Sequence, residues 1–412
     1  MVSGIVPFLL AALLTGAPAH AYSQFTHEEL IDLVWADSIQ PLLLEHYPSA
    51  SDGALRRARA FAYGGSLVQD IGYYPFGNRF FSNLAHYVRS GDFVVALFRN
   101  ARSLDELAFA TGALSHYIGD SIGHGQAVNP STAIEFPDLN ARYGSIVTYE
   151  EAPIDHIRTE FGFDVAQSVL HRYAPNQYRE RFGFRVARPL LYRAFREIYG
   201  ISARGILGPA RSALSTYRWS VTRLLPAFLG AQEVRLGGRM PAENPDGARS
   251  EFLRDIGHAA YSAQSTTASG PGVGSHVFAV FLAVVPKIGK LKALDIKPPV
   301  TATEDLFLES TAHAAASFRA ALGQIRQEPD PRFELENLDL DTGSSVAPGQ
   351  SKLVDGTYDS LVLRIVREQA AVLPELRAAL ARYYSARDLA SGDETKRRKI
   401  EEALTALGIA LR

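Results

Sequence analysis

The stretch Ser115–Gly125, SHYIGDSIGHG, decides how this chain is read: His116, Asp120 and His124 recur at intervals of four. A helix turns about 100° and rises about 1.5 Å per residue, so the three side chains fall near one face, each roughly 6 Å further along the axis. Two imidazoles flanking a carboxylate are donors suited to borderline divalent ions, zinc first among them. The outer pair stand roughly 12 Å apart along the axis. That is too far to share one ion comfortably at bond lengths near about 2.1 Å. The spacing therefore predicts a cluster, with one ion beside His116, another beside His124, and Asp120 available to both.

Other residues of the first 160 extend the pattern. His156 and Glu160, in HIRTE, form a second i, i+4 pair on one face of a predicted helix. His27 opens the first helix, where Thr26 and Glu29 read as a capping box. Asp70 and His86 lie between, in YGGSLVQDIGYYPFGNRFFSNLAHYV. Ser103 and Glu106 make a further capping box that starts the helix carrying the triplet.

Helical periodicity dominates the rest, with amphipathic segments expected at 26–46, 54–69, 103–125, 152–173, 184–199, 209–229, 303–326, 358–384 and 395–411. Pro41 is expected to kink or end the first of these. Strand signals are few; RFELENLDLDTG alternates weakly and reads as a short extended piece. Within it Asn337, Asp339 and Asp341 imitate the start of a calcium loop. Thr342 stands where that loop needs glycine and no glutamate closes it, so the segment is read as turn chemistry. Residues 262–275 and 341–356 are small and polar and read as loops. Val277–Val285 is apolar but short, a buried core helix with an interfacial or lid segment as the alternative. The expectation is an all-α, multi-helix bundle built around the metal site at residues 22–200, with an additional helical region of unknown role at 201–412.

The N-terminus reads as a secretory signal peptide over residues 1–21. Ile5–Leu14 is an apolar core too short to span a bilayer about 30 Å thick, and Ala19-His20-Ala21 is a cleavage motif that would leave Tyr22 first. The expected location is secreted or periplasmic, with no transmembrane helix after cleavage. The 412 residues contain no cysteine, so no disulfide helps, and 47% hydrophobic content must supply the core. A formal net charge of −2 argues against a stable nucleic-acid partner or an anionic membrane surface as the general mode of binding.

No nucleophile elbow, HExxH motif or phosphate-cradling glycine loop is present, which leaves metal-assisted hydrolysis as the expected chemistry. Paired divalent ions suit phosphodiesters: one lowers the pKa of a water and its neighbour steadies the departing oxygen.

In order and type these residues resemble the zinc-dependent phospholipase C family, whose wider superfamily includes secreted zinc nucleases. The resemblance covers residues 22–165. It implies that Asp70, His86, His116 and Asp120 hold one zinc, and that His124, His156 and Glu160 hold a second. A third would take His27, the bridging Asp120 and the amino and carbonyl groups of Tyr22, which requires cleavage at Ala21. The implied activity is phospholipase C-like hydrolysis by a zinc-bound hydroxide, with two or three zinc ions as cofactor and a phospholipid or other phosphodiester as substrate. Transient contact with a membrane surface goes with that substrate. Within the family Asp70 is given a catalytic role as general base besides that of ligand; a coordinated carboxylate is a poor base, so holding metal is its simpler part. Tyr73, Tyr74, Phe76, Phe80 and Phe81 lie near Asp70, and Tyr73, Tyr74 and Phe81 are candidates for cation–π contact with a head group, core packing being the alternative. A zinc nuclease on the same scaffold, and a zinc-stabilised binding protein without activity, remain alternatives.

Overall fold

The computed structural model describes residues 24–74, 77–170, 172–173, 183–207, 210–236, 289–327, 333–389 and 393–410, with a few single positions between 249 and 287. The fold is all-α, as expected. Among the described residues the only strands are β1 (Leu338–Asp339) and β2 (Ser344–Ser345), antiparallel with Leu338 opposite Ser345. The signal-peptide segment, Tyr22, Phe76 and the 262–275 loop lie outside the described residues.

The helices of the first half are α1 (Gln24–Val34), α2 (Gln40–His46), α3 (Asp52–Gly65), α4 (Arg79–Tyr87), α5 (Ser90–Asn100), α6 (Leu104–Gly123), α7 (Asn129–Glu135), α8 (Pro137–Tyr143), α9 (Pro153–Val169) and α10 (Arg188–Tyr199). Ser103 caps α6 as predicted, its hydroxyl accepting from Glu106 N at 3.3 Å. The return bond goes one residue further back, Arg102 N donating to Glu106 Oε2 at 2.9 Å. From Leu104 to Asp120 the helix is buried on almost every face, which marks it as the central rod of the bundle. Helix α3 lies against it at very short range. A Cβ on Gly112 would stand 2.0 Å from the Ala62 carbonyl oxygen, so only glycine allows this approach.

The Thr26 capping box does not form. Thr26 lies inside α1, and its hydroxyl donates to Asp164 Oδ1 at 3.1 Å, while Phe25 N donates to Asp164 Oδ2 at 3.0 Å. The hydroxyl that would have accepted from Glu29 N in a capping box donates instead to a tertiary acceptor from α9. Pro41 neither stops nor simply kinks its helix. A π-helical turn, Trp35–Ile39, precedes it, and Gln40 N bonds to Trp35 O. Proline lacks the N–H that the carbonyl four residues back would need, and widening the helix by one residue absorbs the mismatch.

The second half contributes α11 (Ala203–Ile206), α12 (Ala210–Trp219), α13 (Leu225–Leu236), α14 (Thr301–Gln327), α15 (Lys352–Glu368), α16 (Pro374–Ser385) and α17 (Glu394–Ala406). The single helix expected at 358–384 is two: Gln369 takes a left-handed φ of 49° and Pro374 starts the next helix. The main core cluster draws on both halves, from Leu30 and Phe109 to Phe318, Leu361 and Leu404. A smaller cluster joins Phe25, Phe161 and Phe228. Of the apolar run Val277–Val285, Ala279 and Leu282 are buried in that smaller cluster. No described helix is long and apolar enough to cross a membrane.

Candidate metal centre

Eight sequence-selected side chains, spread over 134 positions from His27 to Glu160, meet in the interior, and each is at most 1% exposed. Helix α1 supplies His27, and α6 supplies His116 and Asp120. Asp70 sits on a short 3-10 turn, Gln69–Gly72. That turn is pinned to α6 by Gln69 Nε2 donating to Ala113 O at 2.9 Å and to α4 by Gly72 N donating to Ser82 Oγ at 2.9 Å. His86 ends α4, and His156 and Glu160 lie one turn apart on α9.

Asp120 is the hub. Its Oδ1 is 3.1 Å from His27 Nε2; its Oδ2 is 3.0 Å from His116 Nε2 and 3.3 Å from His86 Nε2. His86 Nε2 also lies 3.3 Å from Asp70 Oδ1 and 3.4 Å from His116 Nε2. The other ring nitrogens face outward onto main-chain acceptors, His86 Nδ1 onto Ser82 O at 2.8 Å and His116 Nδ1 onto Ser66 O at 2.9 Å. Those carbonyls require N–H at Nδ1, so in the neutral rings two Nε2 lone pairs point at each other and at carboxylate oxygens. Such a meeting is repulsive unless a proton or a metal ion lies among them. Ligands about 2.1 Å from a tetrahedral ion stand roughly 3.4 Å apart, which is the spacing found here.

A second group lies beside the first. His156 Nε2 is 3.0 Å from Glu160 Oε1, and His124 Nε2 is 4.0 Å from the same oxygen. His124 opens a second π-helical turn, His124–Val128, at the end of α6. In the described structure both carboxylate oxygens of Asp120 and Glu160, and both ring nitrogens of His124 and His156, are buried without a hydrogen-bond partner. Three groups can each hold an ion: His27, His116 and Asp120; Asp70, His86 and His116; His124, His156 and Glu160. His116 and His124 fall in different groups, as the axial distance between them requires. The donor chemistry, imidazole and carboxylate without thiolate, fits zinc.

The electrostatics divide the centre. Despite burial, hydrogen bonds to Asp120 and Asp70 raise His86, and the charges of Asp120 and Asp70 raise His116, whereas the second group behaves otherwise. Burial raises the Glu160 pKa well above the ordinary carboxylate range, and the charges of Asp120, Asp341 and Asp70 push it the same way. Burial also works against ionisation of Asp120, but His116 and His27 overcome it and hold that carboxyl well below its usual value. Burial, with His156 beside it, lowers His124, and burial brings His156 to about 3 against the opposing pull of the Val147 main chain. Neutral imidazoles with available lone pairs are the form that binds metal. A bound cation would reverse the pressure on Glu160, since it favours the carboxylate.

The aromatic candidates separate. The Tyr73 ring stays beside the site, 5.7 Å from that of His86, with its hydroxyl 3.3 Å from Asn83 Oδ1. Tyr74 meets Tyr217 edge-on at 5.0 Å. Phe81 is fully buried and stacks on Phe195 at 4.8 Å, a packing position between α4 and α10 rather than a wall facing a head group. Tyr22 lies outside the described residues.

The sequence reading passed over Asp341. The turn between β1 and β2 brings its Oδ1 to 3.7 Å from His124 Nδ1, and Tyr87 OH donates to its Oδ2 at 2.6 Å. A surface cavity of about 270 Å³, lined in part by Tyr87, Thr148, Glu150, Asp339 and Asp341, opens at this edge of the centre. Nothing in the spacing of the sequence ties Asp341 to His124; the Asx-type signal in LDLDTG gave the turn and not its place.

Residues 26–205 match the family model described as zinc dependent phospholipase C. No curated protein and no solved structure matches the chain.

Proposed function

We propose, with residues 26–205 belonging to the zinc-dependent phospholipase C family, that the chain is an exported zinc metallohydrolase that cleaves phosphodiester bonds, with a phospholipid as substrate. The observation that carries this reading is the division of Asp120, one oxygen toward His27 and the other toward His86 and His116, with the His124, His156 and Glu160 group alongside. Zinc bound there would lower the pKa of a water and neutralise charge developing on the phosphoryl oxygens.

The residues have distinct tasks. Asp70, His86, His116 and Asp120 hold one ion, His124, His156 and Glu160 a second, and His27 with Asp120 and the Tyr22 terminus a third. Asp70 orients the His86 ring through its Oδ1 and is the carboxylate available to take a proton. Tyr73, whose ring stands beside His86, is the aromatic placed to contact a head group. The 270 Å³ cavity is the approach for substrate. Residues 22–200 form the metal domain, and the region from 201 onward packs against it. Signal cleavage after Ala21 delivers the mature chain outside the cytoplasm.

The complete burial of all eight groups favours one second reading, a zinc-stabilised protein without catalysis. Hydrolysis of p-nitrophenyl phosphorylcholine separates the two. The proposal expects activity that exhaustive chelation removes, that zinc restores, and that Asp120→Asn and His116→Ala abolish. Turnover undiminished by chelation would refute the zinc mechanism. A zinc-loaded protein inactive on phospholipid, choline ester and single-stranded DNA would establish the second reading. Preference for DNA would make it a nuclease.

A further inference from the structure

The outward nitrogens of two of the centre's histidines rest on main-chain carbonyls, and that of a third faces a side chain. His86 Nδ1 meets Ser82 O at 2.8 Å and His116 Nδ1 meets Ser66 O at 2.9 Å. Both partners are main-chain groups within the family-matching region. His124 differs: its Nε2 faces Glu160, and its Nδ1 faces the side-chain carboxylate of Asp341. Asp341 lies far beyond residue 205, where the family match ends.

We propose that Asp341 is a positioning residue of the metal centre. Its carboxylate, supplied from outside the family-matching region, accepts a hydrogen bond from His124 Nδ1–H and so turns Nε2 toward the ion held with His156 and Glu160. Metal-bound histidines commonly donate their second nitrogen to a carboxylate, which fixes the tautomer and makes the ring a stronger donor. The 3.7 Å between Asp341 Oδ1 and His124 Nδ1 is roughly 0.5–1 Å longer than such a bond, a difference a small ring rotation closes.

The surroundings hold Asp341 for this task from several sides. Tyr87 OH occupies Oδ2 at 2.6 Å and leaves Oδ1 toward His124. Asp341 N donates to Asp339 Oδ1 at 2.9 Å, which sets the turn, and Asn129 Nδ2 donates to Asp341 O at 2.9 Å. Leu340 N donates to His86 O at 3.2 Å, tying the same turn to a helix that carries another ligand. Gly343 completes the seat. Its φ is +70°, and a Cβ there would stand 2.0 Å from Ser121 O, so the turn is pressed directly onto α6. Asp341 is 5% exposed, and among the described residues its ion pairing is with His124 alone. Burying a carboxylate is costly, and the arrangement offers it one cationic neighbourhood, the metal centre.

The inference rests on the zinc reading of the site, and the experiment keeps the two apart. Zinc affinity of the full-length chain is measured by competition with a coloured chelator for wild type, Asp341→Ala and Asp341→Asn. Asp341→Ala is expected to loosen one class of zinc by about 10–100-fold and leave the others at wild-type affinity. Asp341→Asn, whose amide oxygen still accepts from Nδ1–H, should fall between the two, and it carries the test if the alanine variant does not fold. Wild-type affinity for every zinc in both variants, with only the metal-free protein losing stability, would reduce Asp341 to a structural stitch and overturn the proposal. An equal loss from all classes would overturn it too. A wild-type protein that binds no zinc would instead refute the reading beneath it.

Discussion

Asp120→Asn is the sharpest perturbation of this centre, because the substitution keeps the shape of the side chain and removes its charge. Asp120 serves two groups at once, Oδ1 at 3.1 Å from His27 and Oδ2 at 3.0 and 3.3 Å from His116 and His86. An asparagine can turn its oxygen to only one of them, and its NH2 then faces the other. Structural zinc sites of four ligands are worth roughly 10–16 kcal/mol, so one ligand accounts for about 3–4 kcal/mol. That corresponds to roughly 10²–10³-fold in affinity for each ion that Asp120 holds. The His124, His156 and Glu160 group makes its close pairs within itself and with Asp341, so its zinc should stay at wild-type affinity. Titration of the zinc-loaded variant with a graded series of chelators, read by an indicator dye, should therefore show a weakened class and an unaltered one. Retention of every zinc at wild-type affinity would refute the bridging role of Asp120. Uniform weakening would refute the separation into groups.

Two further outcomes test the scaffold. Gly112→Ala gains up to about 1 kcal/mol of helix propensity but forces a Cβ to 2.0 Å from Ala62 O; overpacking of about 1–3 kcal/mol or more should win, and urea unfolding of the chelated protein should show a net loss. Asp359 lies buried against Arg387 and Lys396; burial works to raise its pKa, but their hydrogen bonds hold it below the usual value. A carboxyl depressed in this way contributes stability that is full above its unfolded pKa near about 3.9 and is lost as pH falls through the lower folded value. Asp359→Asn should therefore cost about 1–3 kcal/mol at pH 7 and almost nothing at strongly acidic pH, as measured by thermal unfolding across that range.

The metal-binding half was legible because its signals are local. The i, i+4 pairs of α6 and α9 needed only a helix to place two donors on one face, and the Ser103 cap that begins α6 is equally local. Asp70 and His86 are single residues on short elements, and they were assigned through family resemblance rather than periodicity. Helices α4 and α5 were not marked in advance at all; they are short, and the aromatic run before them reads equally well as loop. Thr26 shows how a local rule fails, since its hydroxyl donates to Asp164, 138 residues away, instead of accepting from a local N–H. Asp341 is the extreme case, a single carboxylate in a polar turn whose meaning comes wholly from where the turn is seated.

The interval of four ends where the helix changes its repeat. Three π-helical turns occur among the described residues, Trp35–Ile39, His124–Val128 and Ser220–Leu224, and each is followed by proline at the second position of the next helix: Pro41, Pro130 and Pro226. Proline cannot give an N–H to the carbonyl four residues earlier, and each turn shifts the bonding by one residue; Asn129 N bonds to His124 O, five back. In each of these three helices the proline stands six residues after the position that opens the widened turn. In the metal-bearing helix His116, Asp120 and His124 share the α-helical phase, His124 N still bonding to Asp120 O; the first two face His27, Asp70 and His86, while His124, two turns beyond His116, meets α9. One continuous rod can then serve two adjoining metal groups, because two turns of axial rise carry His124 past the first group before the helix widens.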